Sequence, residues 1–137
     1  MPEFQEISDY RIEKANGLFP YLGIYSRSLD KGRIILPKIL TDRFKKRSKL
    51  LGVNLDHFYV SKEKEGSLEY LSFHDYLIGN DLSKFSFVYF EENKNSRLAL
   101  PKKLRMSGNG VCILGLSNHF EIWAREDWER YQESLKS

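Results

Sequence analysis

The apolar positions along this chain change their period several times, and each change marks an element. "YLGIYSRSL" (residues 21–29) and "FSFVYF" (85–90) are rich in β-branched and aromatic residues and read as strands. "RIIL" (33–36) and "RLAL" (97–100) are short apolar strands that follow polar, charged turns. Pro37 and Pro101 stand where a helix would open, a place at which a missing N–H costs nothing. From there the period becomes helical. Over residues 37–51 Leu40, Phe44 and Leu51 form an apolar stripe with Lys45, Lys46 and Lys49 off it, whereas "PKKLRM" is cut short by the two glycines of "SGNG". Two hairpins follow, "HFYVSKEKEGSLEYLSF" turning near Glu65-Gly66 and "GVCILGLSNHFEIW" turning near Ser117-Asn118. "REDWERYQESL" closes the chain as a helix with Trp128, Tyr131 and Leu135 at i, i+3 and i+7.

The same order of elements is thus written twice. Arg33, Leu36, Pro37, Lys38 and Leu40 match Arg97, Leu100, Pro101, Lys102 and Leu104 at an offset of 97 − 33 = 64. Leu68-Glu69 and Asp75-Tyr76 answer Phe120-Glu121 and Asp127-Trp128 at 120 − 68 = 52, so the first copy carries about twelve more residues in its middle. Neither copy can bury a two-sided hydrophobic hairpin alone. Interlocked about a pseudo-twofold axis they can, which predicts a mainly β protein with short helices closed into one small barrel. The expected division is an N-terminal extension over 1–21, a first repeat over 22–80 and a second over 81–137, together forming one compact domain.

At 137 residues the chain has the size of one domain, and 41% hydrophobic with 30% charged residues is ordinary for a globular protein. The longest apolar run falls far short of the ~20 residues that span a bilayer, and the N-terminus lacks a signal-peptide pattern, so the expected location is the cytoplasm. Cys112 is the sole cysteine, which excludes an internal disulfide and leaves too few thiols for structural zinc; within "VCILGL" it reads as a small core residue. Charge is more informative. Net charge is +3, but residues 27–49 hold nine Lys or Arg against Asp30 and Asp42, 9 − 2 = +7, leaving 3 − 7 = −4 for the rest. Such segregation fits one basic surface facing a polyanion; a solvated helix face around "DRFKKRSKL" is the competing reading.

No catalytic constellation is present. His57, His74 and His119 are scattered, no nucleophile has a paired base, and no glycine-rich phosphate loop or metal-ligand spacing occurs. His57 and His119 each precede a Phe in a strand, which points to surface or rim positions. Neither enzyme activity nor a cofactor or metal is expected.

"LDKGRIILPKIL", "NSRLALPKKLR" and "HFEIWAREDWERY" together resemble the MraZ family of bacteria, whose chains hold two AbrB-like swapped-hairpin DNA-binding units. The resemblance covers roughly residues 22–135. It implies a sequence-specific transcriptional regulator that binds repeated promoter sites of the division and cell-wall gene cluster, associates with the nucleoid and assembles as a ring-shaped homo-oligomer. Two departures stand out. The family's Asp-x-x-x-Arg is one residue shorter at Asp30-Lys31-Gly32-Arg33, and Asn93 replaces the acid in Asn93-Lys94-Asn95-Ser96-Arg97.

Arg33 and Arg97, at the ends of tight turns, are the expected contacts to groove or phosphate on double-stranded DNA. Lys31 and Lys94 share their loops, while Arg27, Lys38, Lys102 and Lys103 frame the surface. Asp30, Gly32 and Asn93 are expected to shape the turns, Gly32 by adopting φ > 0. The alternative for Arg33 and Arg97 is that each staples its own turn through backbone carbonyls. Trp123, Trp128 and Tyr131 have the spacing of core packing rather than base stacking. Two other functions stay open: an oligomeric assembly module of the same fold without specific DNA recognition, and an AbrB-type autoregulator of another operon.

Overall fold

The computed structural model describes residues 7–53, 56–77, 82–91, 97–102 and 110–136. Its elements are α1 (Asp9–Leu18), β1 (Ile24–Arg27), β2 (Arg33–Ile35), α2 (Lys38–Leu51), β3 (His57–Glu65), β4 (Leu68–His74), β5 (Ser86–Glu91), β6 (Arg97–Ala99), β7 (Val111–Gly115), β8 (His119–Ala124) and α3 (Arg125–Leu135). The described residues are mainly β with short helices, as the two-period pattern predicts.

All eight strands belong to one antiparallel sheet in the order β1-β7-β8-β4-β3-β5-β6-β2. Exchanging each strand of the first repeat for its counterpart in the second (β1 for β5, β2 for β6, β3 for β7, β4 for β8) leaves that order unchanged once the ends are joined. Each repeat therefore feeds its first strand to the other repeat's hairpin, β1 onto β7 and β5 onto β3. This is the interlocked, swapped-hairpin barrel with pseudo-twofold symmetry. One end of the axis passes through the β2·β6 ladder, whose pairs Arg33↔Ala99, Ile34↔Leu98 and Ile35↔Arg97 map onto themselves at the offset of 64.

The hairpins correct the second offset. Glu65 pairs with Leu68 and Gly115 with Phe120, so the hairpin centres lie 117.5 − 66.5 = 51 residues apart, not 52. The reason is parity: Leu71 and Phe73 of β4 and Phe120 and Ile122 of β8 point into the core, and an even offset would equate inward Phe120 with Leu68 on the outward row.

The core is one cluster fed by both repeats, including Ile34, Leu40, Phe44, Phe58, Phe73, Leu98, Ile113 and Phe120. Phe73 stacks on Phe120 across the β4·β8 pair at 5.1 Å, and Phe58 meets Phe120 edge-on at 5.2 Å. Trp123 is buried and stacks on Tyr70 at 4.3 Å, with Trp128 and Tyr131 of α3 at 5.5 and 5.3 Å, so these aromatics pack against one another. His57 is a correction: it is only 4% exposed, ringed by Tyr59 and Phe87, with Nδ1 2.7 Å from Asp56 Oδ1.

Residues preceding the first repeat are part of the packing. Ser8 caps α1 by accepting from the Arg11 N–H, and Ile12 and Ala15 pack against Leu51 of α2. Tyr21 then exchanges two backbone hydrogen bonds with Ser117 in the β7–β8 turn, at 2.9 and 2.8 Å. The approach is so close that a Cβ at Gly115 would collide with the backbone of Tyr21 and Leu22.

Candidate nucleic-acid interface

The charged turn that opens β2 is a two-residue hairpin. The Asp30 N–H donates to the Arg33 carbonyl at 2.8 Å and the Arg33 N–H to the Asp30 carbonyl at 3.0 Å. Lys31 at φ 52° and Gly32 at φ 77° are both left-handed, the conformation of a type I′ turn, whose twist matches that of the flanking strands. Gly32 supplies that conformation without a Cβ penalty, and Lys31 is left exposed at the tip.

Strand alternation then sets the surface. Ile34 and Leu98 face inward and are buried, which sends Arg33, Ile35, Arg97 and Ala99 to the outer face of the β2·β6 ladder. Arg33 is opposite Ala99 and Arg97 opposite Ile35, so the two arginines are diagonal neighbours, at positions about 7–8 Å apart by ladder geometry. Together with Arg27, Ser28, Asp30, Ile34 and Ile35 they line a cavity of about 230 Å³ at the surface.

Arg27 is held by the backbone. Its Nε donates to the Ile35 carbonyl at 3.1 Å and one Nη to the Ser26 carbonyl at 2.8 Å. These bonds join β1 to β2, where no ladder of paired strand residues closes the sheet. Lys38, the first residue of α2, is exposed, as is Lys102 at the equivalent place, 38 + 64 = 102. The amide of Leu100 donates to the Gly32 carbonyl at 2.9 Å, tying the second repeat to the first repeat's turn. Asn93, Lys94 and Lys103 lie outside the described residues.

The basic run in α2 divides. Lys46 and Lys49 are exposed, but Arg47 is fully buried and forms an ion pair with Asp75, Nε to Oδ2 at 2.8 Å and Nη2 to Oδ1 at 3.4 Å. The Tyr21 hydroxyl donates to the same Oδ2 at 2.8 Å, and the Arg47 guanidinium lies 4.9 Å from the Tyr21 ring centroid and donates to Asn16 Oδ1 at 3.0 Å. Burial raises the Tyr21 phenol well above its ordinary value, with the Asp75 charge adding to it, so Tyr21 stays a neutral donor. For Arg47 burial works against the charge, but Asp75 and the neighbouring tyrosines hold the guanidinium above its usual range. The network was missed in the sequence although its signal is there: Leu40, Phe44, Arg47 and Leu51 are spaced by 4, 3 and 4, which puts position 47 on the buried stripe.

At the opposite end of the twofold axis His74 pairs with His119 and the rings stack at 4.7 Å. No group of three potential metal ligands occurs among the described residues. Burial, and then the charge of His119, lowers the His74 pKa from 6.5 to about 4. The unfolded chain takes up this proton near 6.5 and the fold resists it until about 4, so the associated stability is complete above 6.5 and is lost as pH falls from 6.5 towards 4. Urea midpoints at the two ends of that window should therefore differ less in His74→Gln than in the unsubstituted protein; an unchanged difference would remove His74 as the cause.

Among the described residues no helix is long and apolar enough to cross a membrane. The family model described as "MraZ protein, putative antitoxin-like" matches residues 93–137, which include β6, β7, β8 and α3. The match falls on the second repeat, so that part of the chain is similar to the MraZ family, and both repeats together form the swapped-hairpin barrel.

Proposed function

We propose that this protein is a sequence-specific DNA-binding transcriptional regulator, acting on repeated promoter sites of the division and cell-wall gene cluster as a nucleoid-associated, ring-like homo-oligomer in the cytoplasm. One observation carries the DNA reading: Arg33 and Arg97, equivalent across the twofold axis, share the outer face of the β2·β6 ladder and line one cavity. A guanidinium there can pair bidentately with a guanine edge or a phosphate, and half-exposed Ile35 between them can meet a thymine methyl group. Lys31, Lys38 and Lys102 stand nearby as phosphate partners, with Lys94 and Lys103 following from the sequence alone.

The test is a set of fluorescence-anisotropy isotherms on labelled duplex carrying the chain's own promoter region, against a scrambled duplex of equal length. Tighter binding to the promoter duplex, weakening linearly in log–log coordinates as salt rises, is the expected result. Equal affinity for both duplexes would sink specific recognition, and no binding to either would leave the assembly-module reading in its place.

A further inference from the structure

The two end strands of the sheet, β1 and β2, are bridged by a side chain rather than by a ladder. We infer that Arg27 is not itself a contact to DNA but a positioning residue: it sets the width of this seam, and through it the placement of Arg33 and Arg97 for base recognition. This rests on the DNA-binding reading above and assigns how that same surface is held in shape.

The register explains the seam. Asp30 and Arg33 exchange both backbone hydrogen bonds, so an antiparallel hairpin continued from them would next join Ser28 to Ile35. No such rung forms among the described residues; the strands part here, and the Ile35 carbonyl accepts from Arg27 Nε at 3.1 Å instead. The Ser26 carbonyl faces the same opening. Tyr21 exchanges both bonds with Ser117 in the register that continues into β1·β7, so Tyr25 and Arg27 bond towards β7 and Ser26 points away from it. That carbonyl accepts from an Arg27 Nη at 2.8 Å. One planar group thus satisfies an acceptor on each side of the gap.

Arg27 can span the gap because its own backbone is pinned. It pairs with buried Val111, which starts its side chain on the inner row, and a Cβ at Gly110, held at φ 80°, would collide with the Arg27 carbonyl. The cavity of about 230 Å³ lies at this gap, lined by Arg27 and Ser28 from the β1 arm and by Arg33, Ile35 and Arg97 from the β2·β6 ladder. Ile35 stands opposite Arg97 and two residues from Arg33, so a bond that fixes its backbone fixes the base of both arginines. Side chains offered from a fixed frame lose less conformational freedom on binding.

The experiment uses the full chain with the promoter duplex and the scrambled duplex in a salt series, on Arg27→Lys and Arg27→Met; circular dichroism confirms that each is folded. Arg27→Lys keeps the charge and loses the planar fork, whereas Arg27→Met keeps an unbranched stem and loses both. Promoter affinity should fall about tenfold in each variant, because Arg33 and Arg97 keep their charge but not their placement. Affinity for the scrambled duplex should be retained, and the salt slope should change by well under the ~0.9 of a lost phosphate contact. If Arg27→Lys binds the promoter duplex as the unsubstituted protein does while Arg27→Met loses about 0.9 of slope, Arg27 is a phosphate contact and the inference is overturned. Unchanged promoter affinity in both variants would overturn it as well, with DNA binding intact. Failure of the unsubstituted protein to prefer the promoter duplex would remove the specific-recognition reading itself and this inference with it.

Discussion

Asp75→Ala should destabilise the protein by about 3–5 kcal/mol, because it strands the Arg47 guanidinium in an interior that excludes water. Arg47 has no other carboxylate partner among its described contacts; its remaining bonds go to Asn16 and, at 3.4 and 3.5 Å, to the carbonyls of Phe19 and Asn118. The Tyr21 hydroxyl would lose its acceptor as well. For a chain of this size the loss corresponds to a fall in Tm on the order of 10–20 °C. Replacing the group together, as Arg47→Met/Asp75→Leu/Tyr21→Phe, should cost clearly less than Asp75→Ala alone, since no buried charge or hydroxyl is then left without a partner. Chemical denaturation of the variants decides this. A midpoint for Asp75→Ala equal to that of the unsubstituted protein would contradict the role assigned to the pair.

The network explains why residues ahead of the first repeat are tightly packed. Asn16 of α1, Tyr21 at the start of the barrel, Arg47 of α2 and Asp75 after β4 converge on one point, so four segments distant in sequence depend on one carboxylate.

What could be read in advance follows from how local each signal is. The I′ turn at Lys31-Gly32, the helix beginning at Lys38 and the hairpin turns depend on residues within a few positions, and their chemistry is visible in the sequence. The interlocked topology was legible because the chain is written twice. Arg47 was misplaced because a cation on an apolar stripe makes sense only once Asp75, 28 positions away, is known to face it. His57 was misplaced similarly: its burial comes from Tyr59 beside it and Phe87 on β5, a cross-strand neighbour no local pattern reports. α1 was overlooked because only Ile12 and Ala15 of its ten residues are buried, so its apolar stripe is narrow. Of the surface, the arginines were found by their repeated motif, but the carbonyl bonds that occupy Arg27 needed the strands in place.

The largest effect on recognition should come from Arg33→Ala/Arg97→Ala. Both side chains leave the sheet on its outer face, so their loss opens no cavity in the core, and the barrel should retain its fold and Tm. A bidentate arginine contact to a base is worth about 1–3 kcal/mol, so losing two should weaken promoter binding about 10²-fold or more. Where the contacts are to phosphate, the loss falls equally on promoter and scrambled duplexes and the salt slope drops; where they are to bases, the promoter's advantage shrinks.

The most direct measurement is therefore the affinity of the folded Arg33→Ala/Arg97→Ala protein for promoter duplex across a salt series, beside that of the unsubstituted chain. A loss of about 10²-fold or more with a flattened salt dependence is the expected outcome. Binding that keeps both its affinity and its slope would contradict the assignment of the β2·β6 face to DNA.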